Sequence, residues 1–270
     1  MFEFVPKSTA SSPQLVEKSV KPSAGRPSID LRAASWVSPY MLCLIPVLIS
    51  NVEAVSVDFS TASNDAARYA SRMHLGSVLD ELGVAHCLPT VRESDRSNRL
   101  VELTSFSAGD TSAPEKLTQL MQERCDLNGV PADVADEIAG HIYELCNNTV
   151  AHAACETAWL CAQSYQQSRL EFVVADAGRG IRASLAGTEF ECENHADSIT
   201  TAVRRRTSSI GRPMHHGVGL SSVLNYTQEM SGMTAVRSGD AIVQFAGASY
   251  AASTLELSGT IVGCSIRFPH

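Results

Sequence analysis

The sequence contains no Gly-Lys-Ser or Gly-Lys-Thr, no Cys-x-x-Cys pair and no apolar run of membrane length. The first absence excludes a Walker phosphate loop, whose lysine reaches the terminal phosphates of a nucleotide. The second removes the usual ligand spacing of a structural zinc site. The eight cysteines, at positions 43, 87, 125, 146, 155, 161, 192 and 264, stand apart, and several fall within apolar helix or strand patterns, as buried thiols do. Together with the lack of a signal-peptide pattern they point to a reducing, cytoplasmic setting. The most apolar stretch, residues 40–49, is shorter than the roughly 20 residues that span a bilayer, and Pro46 is expected to interrupt it. A core helix is expected there, and no membrane partner. Positive charge is scarce as well: 21 Lys and Arg against 29 Asp and Glu leave a net charge of −8. Phosphate backbones select basic surfaces, so nucleic acid is excluded as the main partner. The one basic cluster, Arg204-Arg-Arg206, reads as a lid or a solvated helix feature.

What is present is concentrated in the second half. Over residues 131–152 the apolar Val134, Ile138, Ile142 and Leu145 recur at three- and four-residue spacing, which predicts a helix with one buried stripe and Pro131 at its start. Glu144, Asn148 and His152 are spaced i, i+4, i+8 and stay within about 80° of one another on a face of that helix. An amide oxygen suits Mg²⁺, which takes few protein ligands. A carboxylate one turn away can orient or deprotonate an attacking group. The same three residues also fit an ordinary solvated helix face.

Residues 170–175 then read as a short buried strand running into Asp176-Ala-Gly178-Arg-Gly180-Ile181. Two glycines there let the backbone come close to a flat ligand, and a buried carboxylate can accept a hydrogen bond from an exocyclic amine such as that of adenine. The alternative is a strand-to-loop turn with a solvated aspartate. Further on, Gly217-Val218-Gly219-Leu220 opens an amphipathic helix, whose free N–H groups and dipole suit a phosphate. Arg212, His215 and His216 lie just upstream, either as phosphate contacts or as solvated loop residues. Residues 233–237 and 241–245, joined by Ser238-Gly-Asp240, are expected as a hairpin, and Gly259-Thr260 precedes a last strand over 261–268.

Taken together, Glu144, Asn148 and His152 resemble the N box, Asp176-Ala-Gly178-Arg-Gly180 the G1 box and Gly217-Val-Gly219-Leu the G2 box of the Bergerat-fold ATPases, the superfamily of gyrase, heat-shock chaperones, histidine kinases, anti-sigma kinases and MutL. The resemblance covers residues 131–270. It implies ATP and Mg²⁺ as cofactors, with Asp176 holding the adenine amino group, Thr260 nearby, and Gly178, Gly180, Ile181, His152, Gly217, Val218, Gly219 and Leu220 lining the nucleotide. It also implies that Asn148 ligates Mg²⁺, Glu144 is the catalytic carboxylate and residues 181–216 form a mobile lid. The lid carries no obvious second glycine-rich phosphate loop. His152 followed by Ala153 is the variant of anti-sigma kinases and one group of histidine kinases, which favours the signalling branch.

The first half opens with a Ser-, Pro- and Lys-rich tail over residues 1–27, expected to be flexible. A strand is then predicted at 28–32, a buried helix at 38–50, a strand at 54–59 and a helix at 64–82 with Asn64 as N-cap. Such alternation calls for helices packed on a sheet, in an α/β domain spanning 28–108. This order, with Trp36-Val-Ser-Pro39 at the helix entrance, resembles the STAS domains of anti-sigma antagonists. In those, a serine at a helix start can be phosphorylated, and Ser38 lies near that place; it also reads as a plain helix cap. Residues 93–113 are expected to carry a strand and a linker, and 109–130 a linker with an amphipathic helix at 115–125.

The expected protein is thus an α/β chain: a small STAS-like domain followed by a Bergerat-type α/β sandwich. The resemblance implies an ATP-binding regulator of a protein partner, with or without phosphoryl transfer. Two other functions stay open, an ATP-hydrolysing switch that forms a homodimer and a non-enzymatic interaction protein with structural nucleotide. No phosphoacceptor of the His-Glu/Asp type is seen, since His74 is followed by Leu-Gly.

Overall fold

The computed structural model describes residues 20–23, 26–60, 62, 64–91, 100–165, 169–204, 219–246 and 248–268. Among these residues it is a mixed α/β structure with two sheets. The first has four strands in the order β1 (Val20–Ser23), β2 (Arg26–Asp30), β3 (Ser56–Asp58), β4 (Ala85–His86). β1 pairs antiparallel with β2, and β2, β3 and β4 run parallel. Their crossovers are helical: α1 (Pro39–Val52), then α2 (Asn64–Arg72) and α3 (Leu75–Glu81). The single helix expected over 64–82 is therefore two. His74 breaks it by taking up left-handed backbone at φ 59°, which lets the chain turn before Leu75.

The second sheet is antiparallel throughout, in the order β5 (Leu100–Ser107), β6 (Thr157–Tyr165), β7 (Arg169–Asp176), β9 (Ala248–Arg267), β8 (Met233–Ala246). The strand anticipated within 93–113 is β5, and it joins this sheet rather than the first. The expected three-part tail is in fact two long strands. β8 runs straight through Ser238-Gly239-Asp240, where the ladder to β9 shifts register, so that tripeptide is a bulge and not a hairpin turn.

Side chains alternate across the second sheet and divide the core in two. Leu160, Phe172, Val174, Val262 and Cys264 face one way, into a core with α4 (Ala113–Leu127), α5 (Ala132–His152), α7 (His195–Arg204) and α8 (Gly219–Glu229). Trp159, Cys161, Val173, Ala175 and Ile261 face the other way and meet α1. Helix α1 is buried from Pro39 to Ile49, as befits a helix apolar all round that lies between layers. It continues through Pro46, which therefore does not interrupt it. Its N-cap is Ser38, whose Oγ accepts the Met41 N–H at 3.3 Å. Among the described residues no helix is long and apolar enough to cross a membrane.

Candidate functional site

The pieces singled out in the sequence meet at the end of β7. Because residues 172, 174 and 176 share a face, Asp176 projects toward the α5 side of the sheet. It stands directly across from Thr260 on β9, and Thr260 stands across from Ser238 on β8. Three polar residues thus form one row over three adjacent strands, at the point where the apolar ladder of Phe172, Val174, Val262 and Cys264 stops.

Asp176 is 5% exposed. Burial raises its carboxyl from the ordinary 3.8 to about 6, while hydrogen bonds from the backbone N–H groups of Gly178 and Thr260 pull the other way. The Gly178 bond, to Oδ1, is 2.9 Å long. Keeping this group ionised at neutral pH costs on the order of 3 kcal/mol, since each tenfold change in proton affinity is worth about 1.4 kcal/mol. A buried carboxylate held at such a cost is a common mark of a functional site.

The glycines beside it do something other than expected. Where their side chains would stand, the protein's own backbone and Ser238 approach. A Cβ on Gly178 would sit 2.0 Å from the carbonyl oxygen of Ala153, just past the end of α5. One on Gly180, at φ +76°, would sit 2.8 Å from Ser238 Oγ and 3.2 Å from the carbonyl oxygen of Gly259. The absence of side chains lets the turn dock on the end of α5 and on β8 and β9 at once. Arg179 completes the junction: its N–H donates to the Ala153 carbonyl and its Nε to the His152 carbonyl, both at 2.8 Å. Ile181, which starts the short helix α6 (Gly180–Leu185) with Gly180, is 9% exposed.

Ser238 escaped the sequence reasoning because a Ser-Gly-Asp string looks like a turn. It is 3% exposed; its Oγ accepts the Ile181 N–H at 2.9 Å and donates to the Gly259 carbonyl at 3.1 Å. The hydroxyl therefore ties the glycine turn to the strand that carries Thr260. A bulge preceded by serine, rather than a hairpin, would have been the signal.

The α5 face is placed beside this turn by the Gly178–Ala153 contact. Glu144, Asn148 and His152 are all half-buried on it. Burial, and secondarily Arg179, lowers the His152 imidazole below its ordinary value, so it is neutral at pH 7. Helix α8 packs along α5, with the Tyr226 ring 4.8 Å from that of His141. His141 is pushed down to about 4 by burial, which makes its 3.9 Å approach to Glu137 a dipolar contact rather than an ion pair.

Of the expected phosphate turn, Gly217 and Val218 lie outside the described residues, as do Arg205, Arg206, Arg212, His215 and His216. Gly219 is the first residue of α8, at φ +42° with open space around its Cβ position, and Leu220 packs against the core. The segment expected as a lid is docked over the part that is described. α7 places Ile199 and Val203 in the core, and His195 lies against the backbone of Gly239, its Nδ1 accepting the Asp240 N–H at 2.9 Å. Residues 205–218 lie outside the described residues.

Neither a protein-family model nor any curated protein matches this chain. What the site can do rests on its own residues. They supply an ionised carboxylate at the mouth of the sheet, a hydroxyl beside it in Thr260, and an acid, an amide and a neutral imidazole on the adjoining helix. Among the described residues no group of three or more His, Cys, Asp or Glu is placed to hold a metal. Such a set fits an ion brought in on phosphate oxygens, where the protein adds one or two oxygen ligands such as the Asn148 amide.

Proposed function

We propose that residues 131–268 bind ATP in the manner of the Bergerat-fold ATPases and that the chain is an ATP-dependent regulator of a protein partner, of the anti-sigma-kinase or histidine-kinase-like class. The observation that carries this reading is Asp176. A carboxylate 5% exposed and raised to about 6 is stabilised by a ligand that donates a hydrogen bond to it, and the exocyclic amine of adenine is such a donor. The row Asp176, Thr260, Ser238 supports a flat base set against the end of the sheet.

In this reading the α5 face takes the other end of the nucleotide. Asn148 contributes an oxygen to Mg²⁺, which neutralises phosphate charge when bound, and His152, neutral at pH 7, donates or accepts a hydrogen bond beside it. Glu144 is the group on this face able to orient a hydroxyl or water for attack on the terminal phosphate. The first half is read as STAS-like, since β2, β3 and β4 are parallel with helical crossovers. Its α1 rests on the opposite face of the sheet from Asp176, so it can transmit partner binding to the sheet without covering the nucleotide.

Calorimetric titration with ATP and a non-hydrolysable analogue, with and without Mg²⁺, tests the pocket. Binding that strengthens with Mg²⁺ is expected, and Glu144→Ala should abolish phosphate release or transfer while leaving affinity largely unchanged. Wild-type protein that binds neither nucleotide would refute the reading.

A further inference from the structure

A separate cavity of about 320 Å³ lies behind the glycine turn, bounded by α6, the stretch leading into α7, the β8 bulge and residues 256–258 of β9. That volume is at the small end of ligand sites, which run from roughly 300 Å³ upward. Asp176, Asn148 and Glu144 are not among its lining residues, whereas Ser238 of the polar row and Arg179 of the glycine turn are.

Two features set it apart from a surface dimple. Its walls are fixed to one another by direct contacts. His195 packs on Gly239 and accepts the Asp240 N–H. Ser238 holds the start of α6 through the Ile181 N–H. Ser258 is held on both backbone groups by Asn51 of α1, whose Oδ1 accepts its N–H at 2.5 Å and whose Nδ2 donates to its carbonyl at 3.0 Å. The space is therefore preorganised, which spares a ligand the cost of ordering it.

The second feature is charge left unneutralised. Some charged side chains of the fold pair, as Arg32 with Asp30, Lys116 with Asp110 and Arg169 with Glu171. In the cavity Arg182, from α6, and Glu256, from β9, have no hydrogen-bond or ion-pair partner among the described residues although both line the same space. Arg179 spends only its Nε, on the His152 carbonyl, so its terminal nitrogens also remain unengaged. Guanidinium groups offer planar forks suited to a carboxylate, and a carboxylate suits an ammonium group.

We propose that this cavity binds a small zwitterion of the amino-acid or short-peptide class, its carboxylate on Arg182 and Arg179 and its ammonium on Glu256. The site shares Ser238 and Arg179 with the turn that carries Asp176 but does not include Asp176 itself.

Equilibrium dialysis of the full chain against labelled triglycine tests it, with N-acetyl-triglycine and triglycinamide as unlabelled competitors. Triglycine should bind saturably. Each blocked form should compete roughly tenfold more weakly, the effect of losing one charge-assisted pair. Arg182→Ala and Glu256→Gln, both at exposed positions, should each weaken binding to a similar degree, and Asp176→Asn should leave it unchanged. No saturable binding would overturn the proposal. So would equal competition by the acetylated form, which would mean an anion site that ignores Glu256. If binding were lost in Asp176→Asn, the ligand would belong to the nucleotide pocket instead.

Discussion

The two faces of the second sheet are built from the same strands yet do different work. The face toward α1 is apolar over Trp159, Cys161, Val173, Ala175 and Ile261, and its buried charges have protein partners: Arg237 donates to the Leu255 carbonyl at 2.6 Å, and Glu171 accepts the Tyr165 hydroxyl at 3.0 Å and pairs with Arg169 at 3.0 Å. The face toward α5 is equally apolar along Phe172, Val174, Val262 and Cys264, but it ends in the row Asp176, Thr260, Ser238. On the first face the buried carboxylate, Glu171, has a side-chain cation and a hydroxyl beside it. On the second, burial of Asp176 is a standing cost, and such a cost persists where a ligand needs the group.

The largest effect that can break this contrast comes from the α1 face. Leu44→Ala should cost about 2–5 kcal/mol in urea unfolding, the range for a fully buried leucine. It should leave nucleotide affinity nearly unchanged. Because α1 shares a core with β6, β7 and β9, both halves should unfold in one transition; two separated transitions would mean that the faces are energetically independent.

Asp176→Asn should have the opposite sign. Its carboxyl is raised in the fold, so the folded protein carries the full penalty above about pH 6. That penalty shrinks as pH falls through 6 and is gone below about 4, where the unfolded chain is protonated too. The asparagine variant should therefore be more stable at pH 7.5, by an amount on the order of 3 kcal/mol, and the gain should fade by pH 4. Thermal melts across this range check it.

Ser238→Ala removes the acceptor of the Ile181 N–H and should cost about 1–3 kcal/mol, the penalty of an unpaired buried donor. If Ser238 positions the turn, nucleotide affinity should fall as well, and Ser238→Thr should restore part of it; an affinity that stays constant while the melt drops would make the bond structural only. The smallest effect is expected at Ser38→Ala, about 1 kcal/mol for a lost cap, again on the α1 face and without effect on binding.

How legible these faces were in the sequence follows from how local their causes are. Helix α5 could be read from the spacing of Val134, Ile138, Ile142 and Leu145 behind Pro131, and α1 from its unbroken apolarity, because both patterns reflect nearest neighbours. The break at His74 could not, since left-handed backbone at a non-glycine residue has no periodic signature. Nor could the membership of β5, because its partner β6 lies some fifty residues on and pairing is set by the whole sheet. In the site, Asp176 and Thr260 were readable as motif residues, and the strand register brings them together. Ser238 was not, for its role depends on a bulge that only the β8–β9 register defines. The glycines were recognised but their reason was not: Gly178 and Gly180 are needed for protein backbone that approaches from distant elements.

The most direct test is calorimetric titration of Mg-ATP into wild type and Asp176→Asn at pH 7.5, with the melting temperature of each sample recorded alongside. The account predicts that the wild type binds, and that the variant does not bind yet melts at a higher temperature. A variant that binds as well as wild type, or that melts lower, would contradict the assignment of Asp176 as a carboxylate kept for a nucleotide.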